Sequence, residues 1–293
     1  MKKSQSISSV SIIIPVYNEE SYLARCLEAI GKQTDPPKEV IVVDNNSTDR
    51  TVEIAKSFAF VTVISEKRQG RAYARTAGFN YATGDILARI DADSIVTRDW
   101  VARLKTDFAD ESLTGVTGLG KTNVLPWLRS AYGTFWSRVY FWSVHAWFGT
   151  ITMWGANMAI RRSSWLKVKN TVCLDDAVVH EDQDLSLAIA ALGQRIVQDN
   201  RLLIYTKGQD YFYWPKFYTY VWRSIQTKRT YTKRMNGVLK IGFWHLLLGG
   251  IVGIFMTLIF GIVSFLCWPI TYMMFRISAA KQGQDTATLH RLK

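Results

Sequence analysis

From residue 10 to residue 93 the apolar positions fall into two alternating rhythms. Continuous apolar runs read as buried strands: Val10 to Val16, "EVIVVD" at 39–44, "VTVIS" at 61–65 and "DILARIDAD" at 85–93. Between them the spacing turns helical. "NEESYLARCLEAI" sets Leu23, Leu27 and Ile30 on one face, "RTVEIAKSFA" follows the second strand, and a further helix ends near Gly84. Asn18 is expected to cap the first helix, with Glu19 and Glu20 favourable in its first turn. Strands alternating with helices predict βαβ units and a mostly parallel sheet. In such sheets ligands bind beyond the carboxyl ends of the strands. Polar clusters fall at those ends: "YNEE", "DNNSTD" and "DADS". No GxGxxG follows the first strand, which disfavours a dinucleotide fold.

Further along, "HEDQDLSLAIAALG" (180–193) predicts a helix with Leu185, Ala188, Ile189 and Leu192 as its buried stripe and Gly193 closing it. Trp127 to Phe148 is different in texture, with nine aromatics in 22 residues and only Arg129 and Arg138 charged. The aromatics circle the helix, which favours an interfacial helix at the headgroup level over an aromatic core helix. Ile241 to Phe275 is 35 residues without Asp, Glu, Lys or Arg. As one helix it would measure roughly 52 Å against a bilayer core of about 30 Å. Gly249, Gly250, Gly253, Gly261 and Pro269 offer breaks. A helical hairpin or re-entrant pair is therefore expected, with one tilted span plus an interfacial stretch as the alternative. Lys228, Arg229, Lys233, Arg234 and Lys240 precede the block, and Arg276, Lys281, Arg291 and Lys293 follow it. Positive-inside logic puts both flanks in the cytoplasm.

Composition sharpens this picture in three ways. A net charge of +12 over 293 residues points to an anionic partner: nucleic acid, a phosphorylated ligand or an anionic membrane. Cys26, Cys173 and Cys267 are too few and too far apart for a disulfide framework or a metal cluster, which fits a reducing compartment. The basic start "MKKSQSISS" resembles the opening of a secretion signal. The apolar run after it is short, contains Pro15 and leads into Glu19 and Glu20, so a first buried strand is the better reading. The expected division is a catalytic domain over 1–235, including the aromatic segment 127–148, and a membrane-anchoring segment with a basic tail over 236–293.

Three acidic clusters carry candidate chemistry. Asp91 and Asp93 are one residue apart at the end of the fourth strand, where a side-chain period of two would put both on one side. Converging carboxylates repel unless a proton or a hard cation lies between them, and a divalent ion bridging to a diphosphate resolves the repulsion. Asp44 ends the second strand, where it can accept hydrogen bonds from a base or ribose; a turn and helix cap made by Asn46 to Asp49 is the equal alternative. Glu181, Asp182 and Asp184 open the helix at 181. Three acids in four residues exceed what capping needs, so one is a candidate general base.

Taken in order, "VSIIIPVYNEE", "VIVVDNNSTDRT", "GRAYARTAGFNYATGDILARIDADS", "GANMAIRR" and "EDQDLS" resemble the family 2 glycosyltransferases over roughly residues 8 to 200. The resemblance implies an α/β, GT-A fold (Rossmann-like, mostly parallel), here with C-terminal hydrophobic membrane helices. It implies an inverting enzyme that uses a nucleotide-diphosphate sugar, with a UDP-sugar expected, and Mn²⁺ or Mg²⁺ as cofactor. Carried over, Pro15, Tyr17 and Glu19 line the nucleotide pocket, Asp44 contacts the uracil or ribose side, and Arg75 lies near base and diphosphate. Asp91 and Asp93 match the metal pair, with Asp93 the direct ligand, and Asp182 matches the catalytic base. Asn157 lies on the acceptor side, joined there by Glu181, Gln226 and Arg229. Two departures stand out. Thr76 replaces the asparagine often found after the family's "AR", and "QTKRT" has Thr230 where processive members carry tryptophan. The latter argues against a polymerising synthase.

The expectation is a cell-membrane enzyme, catalytic domain on the cytoplasmic side, that moves one sugar to a lipid-linked or polysaccharide-precursor acceptor. A polyprenyl-phosphate acceptor is the alternative. A non-catalytic sugar-nucleotide binder is disfavoured because Asp91, Asp93 and Asp182 are all present. A nucleic-acid partner is not expected: no binding motif occurs, and the positive charge clusters beside the apolar block, where anionic lipid accounts for it.

Overall fold

In the computed structural model the chain is described over residues 9–122, 142, 144–206 and 214–234. The expected domain boundary at 235/236, most of the aromatic segment 127–148 and the apolar block 241–275 lie outside the described residues. Among the described residues no helix is long and apolar enough to cross a membrane.

The first half follows the expected alternation: β1 (Val10–Val16), α1 (Leu23–Gly31), β2 (Glu39–Asp44), α2 (Thr51–Lys56), β3 (Val61–Ser65), α3 (Arg71–Tyr81) and β4 (Ile86–Ile90). The rest comprises β5 (Ile95–Val96), α4 (Trp100–Asp107), β6 (Leu113–Thr122), β7 (Asn157–Arg161), α5 (Arg162–Val168), α6 (Glu181–Ala191), β8 (Arg195–Thr206) and α7 (Trp214–Arg234). They form one sheet in the order β3-β2-β1-β4-β7-β6-β8-β5.

The continuous apolar runs arise because helices cover both faces of the sheet. Alternate side chains of one strand enter different cores. Val10, Ile12, Ile14, Val40 and Val42 pack with α1 and α4. Ile13, Ile41 and Val43 pack with α3, α5 and α6 on the other face. α3 approaches β1 and β2 closely at Gly78, where a Cβ would lie 2.4 Å from Ile13 Cγ2.

One expectation is refined and two need correction. The sheet is mixed: β1 to β4 are mutually parallel, but β7 runs antiparallel to both β4 and β6, and β5 antiparallel to β8. Apolar periodicity identifies a strand without giving its direction. Asn18 does not cap α1, which begins at Leu23 with no acid in its first turn. Asn18 instead takes a left-handed conformation (φ 55°), and its Oδ1 accepts the Thr48 N–H at 2.8 Å. Leu192 is 47% exposed because α6 ends before it, and Gly193 makes the expected left-handed exit.

Where α4 ends against β8, two carboxylates meet. Arg201 pairs with Asp199 (3.0 Å) and reaches Asp107 (3.5 Å). Burial and the Asp199 charge push Asp107 up to about 6, while hydrogen bonds to Arg201 hold Asp199 down against its own burial. A raised carboxyl stabilises the fold while protonated and loses that contribution as pH rises through its folded value. Asp107→Asn keeps a donor toward Asp199 without the charge. Thermal melts should differ little near pH 4, and the variant should melt several degrees above the parent at pH 7.5.

Candidate active site

The loops after β1 and β2 are cross-linked before any ligand arrives. Ser47 Oγ accepts the Asn18 N–H at 3.1 Å, Thr51 Oγ1 the Glu19 N–H at 2.7 Å, and Asp49 Oδ2 the Glu20 N–H at 3.1 Å. Asn45 is buried, donates to the Glu66 and Arg68 carbonyls, and accepts the Gly70 N–H, which pins the loop leading into α3. Pro15 and Tyr17 flank Val16, which pairs with Asp44 in the sheet register. Pro15 is half-buried, Tyr17 is 51% exposed, and Asp44 accepts the Ser47 N–H at 3.0 Å. The expected donor residues thus gather at one edge of the sheet.

β4 stops at Ile90. Asp91 to Ser94 is a turn closed by the Ser94 N–H on the Asp91 carbonyl at 3.0 Å, so a side-chain period of two does not apply to Asp91 and Asp93. They nevertheless share a neighbourhood. Burial and then the charges of Asp93, Asp91 and Glu19 push the Cys26 thiol far up, so all three carboxylates act on the same buried thiol. Among the described residues no group of three or more acids, histidines or cysteines is arranged to hold a metal. The Asp pair alone supplies hard oxygen donors, which suits Mg²⁺ or Mn²⁺ held jointly with diphosphate oxygens and water.

A second set of groups is built around the start of α6. Arg75, fully buried in α3, donates to the Glu181 carbonyl at 2.6 Å and to its carboxylate; Arg89 in β4 donates to the other carboxylate oxygen. Burial alone would raise Glu181, but Arg89 and Arg75 hold it down at about 2. The next residue behaves oppositely. Burial and the Glu181 charge push Asp182 up, against His180, Arg89 and the Gly155 N–H bonded to Asp182 Oδ2 at 3.0 Å. α7 crosses above. The His180 ring stacks on Tyr220 at 4.8 Å, and its Nε2 lies 3.0 Å from the Tyr220 carbonyl, which can only accept, so Nε2 carries the proton. Asp184, fully buried, accepts the Cys173 N–H and the Arg234 guanidinium near the far end of α7.

Beside the start of α6 lies a cleft of about 350 Å³ lined by Arg89, Asp91, Gly155, His180, Asp182, Tyr220 and Arg223 among others; Asp93, Pro15, Tyr17, Glu19 and Asp44 do not line it. Several expected site residues lie elsewhere. Arg75 is sealed against Glu181 and cannot reach a donor. Glu181 borders the cleft, but its carboxylate is taken up by the two arginines and is not offered to an acceptor. Asn157 is in the core, where it accepts from Trp100 Nε1 and donates to the Leu119 and Leu202 carbonyls; Gly155, two positions before it, borders the cleft. Gln226 and Arg229 are on α7 but do not border the cleft, whereas Tyr220 and Arg223 do. Arg89 carried a readable signal. An arginine inside a buried strand needs a paired anion. His180, Tyr220 and Arg223 carried none, because their role depends on where α7 lies.

A family model described as glycosyl transferase family 2 matches residues 11–167, more than half of the chain. The chain belongs to this family. Glycosyltransferase AglE of Haloferax volcanii is 42% identical over 101 residues, 32% of this chain and 33% of AglE. The undecaprenyl-phosphate 4-deoxy-4-formamido-L-arabinose transferase of Yersinia enterocolitica is 36% identical over 102 residues, 32% of this chain and 31% of the relative. The matched segments thus span about a third of these relatives. Among solved structures, the mannosyltransferase PcManGT from Pyrobaculum calidifontis, in complex with GDP-Man and Mn²⁺, superposes with a TM-score of 0.63 at 21% identity, covering 84% of this chain and 74% of that one. At that identity the likeness is one of fold: a GT-A-like α/β architecture with a mixed sheet.

Glu181→Gln should destabilise the protein by about 3–5 kcal/mol at pH 7, since it strips two buried guanidiniums of their partner. A depressed carboxyl contributes stability above its unfolded value, and that contribution is lost as pH falls toward the folded one. The gap between parent and variant in urea unfolding should therefore narrow as pH drops from about 4.5 toward 2.

Proposed function

We propose that the chain is a membrane-associated inverting glycosyltransferase that moves one hexosyl or N-acetylhexosaminyl group from a nucleoside-diphosphate sugar, with uracil the base, to a lipid-linked or polysaccharide-precursor acceptor. The observation that carries the reading is a cleft lined by both Asp91 and Asp182. Asp91 and Asp93 would hold a Mn²⁺ or Mg²⁺, which offsets charge on a departing nucleotide. Support for that pairing comes from PcManGT, whose structure contains GDP-Man and Mn²⁺.

Pro15, Tyr17, Glu19 and Asp44 form the donor edge. Asp182 takes the proton of an acceptor hydroxyl as that oxygen attacks the anomeric carbon from the face opposite the leaving diphosphate, which inverts the centre. Its raised pKa makes it a stronger base than an ordinary carboxylate. The Gly155 N–H leaves one lone pair of Oδ2 committed and fixes the carboxylate plane.

Membrane attachment, with the cleft on the cytoplasmic side, draws support from α7. Tyr220 and Trp222 are 43% and 50% exposed there, and Arg229 and Lys233 follow on the way to the apolar block. A polyprenyl-phosphate acceptor is the second reading, and one observation favours it. Arg71 and Arg223 border the cleft and make no ion pair among the described residues, as cations awaiting a phosphate would.

The test is transfer from a panel of UDP- and GDP-sugars, with Mn²⁺ and extracted membrane lipids, to a lipid-soluble product. Transfer from UDP-sugars alone is expected, and its absence with every donor would refute the proposal. Asp93→Ala should abolish metal-dependent UDP binding while leaving the melting temperature near that of the parent; undiminished transfer by the parent in EDTA would remove the metal from the reading. Asp182→Asn should slow transfer to a hydroxyl acceptor by about 10²–10⁴-fold with UDP affinity unchanged. A parental rate in that variant means either that the acceptor is a phosphate or that Asp182 is not the base.

A further inference from the structure

Arg89 stands on the fourth residue of β4, a strand otherwise made of buried apolar side chains, and is itself 3% exposed. Its guanidinium faces two carboxylates that belong to different ends of the cleft. Nη2 donates to Asp91 Oδ1 at 3.1 Å, and Nη1 donates to Glu181 Oε1. Asp91 belongs to the turn that carries the metal pair. Glu181 is covalently next to Asp182 and is fixed from its other side by Arg75. The nitrogens that make the two bonds are the termini of one planar, rigid fork, so the separation of the two carboxylates is set by the guanidinium itself. A lysine in the same place offers a single point charge and cannot define that separation.

Gly155 is an independent sign that the arrangement is built. Its N–H holds Asp182 Oδ2 at 3.0 Å, and a Cβ on it would lie 2.5 Å from Arg89 Nη1 and 2.8 Å from Cζ. The backbone therefore passes between Arg89 and Asp182 at a distance only glycine permits. Any side chain there would push the guanidinium aside.

We propose that Arg89 is a positioning residue that holds the donor and acceptor ends of the cleft in register: one nitrogen turns Asp91 toward the diphosphate, the other locks Glu181, and Gly155 fits Asp182 against the pair. The inference rests on the donor and base roles assigned under Proposed function. Asp91 bound through Oδ1 keeps Oδ2 for a cation. Asp182 then sits at a fixed offset from that cation, as in-line attack on a metal-bound donor requires.

The test uses the full-length protein in detergent or vesicles, with Arg89→Lys and Gly155→Ala. UDP binding is measured by calorimetry with and without Mn²⁺, and kcat and KM for transfer are measured separately. Expected for Arg89→Lys are metal-free UDP binding like the parent's, a loss of about 10–100-fold in the gain that Mn²⁺ gives, a similar fall in kcat, and little change in acceptor KM. Gly155→Ala keeps both charges and should move the same two quantities in the same direction, so it carries the test if Arg89→Lys does not fold. A merely structural role predicts instead a lower melting temperature, with kcat per folded molecule and the Mn²⁺ gain unchanged. That result, or parental values in both variants, would overturn the proposal. A parent that binds no UDP or GDP under any condition overturns the functional reading and this inference with it, whereas normal metal-dependent binding in the parent and both variants overturns this inference alone.

Discussion

Glu181 is a carboxylate only 6% exposed and held by two guanidiniums, and the site is arranged around it. Removing one anion and two cations from water costs several kcal/mol per ion, and close pairing is needed to offset it. A fold could cover the same space with apolar side chains at less cost, so the network matters for where it is. Arg75 comes from α3, Arg89 from β4 and Glu181 from α6, separated by 106 and 92 positions along the chain. Three elements that otherwise meet through non-directional packing are fixed to each other by directional bonds. The first turn of α6, and Asp182 with it, inherits that precision.

The donor edge reaches rigidity by another route. There the loops after β1 and β2 exchange backbone-to-side-chain hydrogen bonds, and two asparagines, Asn18 and Asn46, take the left-handed conformations that let the loops turn. These bonds are short-range and partly exposed, and each contributes only modestly. Their number orders the loops and leaves Tyr17 outward. The start of α6 is thus fixed by buried charge, and the donor edge by a lattice of neutral and capping bonds.

The sequence made the first half of the molecule legible for a physical reason. A strand covered on both faces must be apolar throughout, so β1 to β4 stand out and the chemistry at their ends can be counted off. Asp91 and Asp93 stand out in that way, Asp182 through the acid-rich helix start and the family resemblance, and the structure puts Asp91 and Asp182 at one cleft. What could not be read is what depends on direction and distance. Nothing in "GANMAIRR" says that β7 runs antiparallel, that Asn157 is spent on Trp100 and two carbonyls, or that Gly155 borders the cleft. Nothing in "GRAYAR" says that Arg75 meets an anion 106 positions away before it can meet a ligand. Gln226 and Arg229 were chosen on a motif whose aromatic partner is missing at Thr230, and α7 offers Tyr220 and Arg223 to the cleft in their place.

Among the contacts that fasten α7 are the His180–Tyr220 stack and the Asp184–Arg234 pair. Those anchors are residues 180 and 184, one on each side of Asp182 along the same helical turn. The helix that brings Tyr220 and Arg223 to the cleft and the turn that carries Asp182 are therefore held in one register, so the shape of the cleft and the placement of its acid are set together.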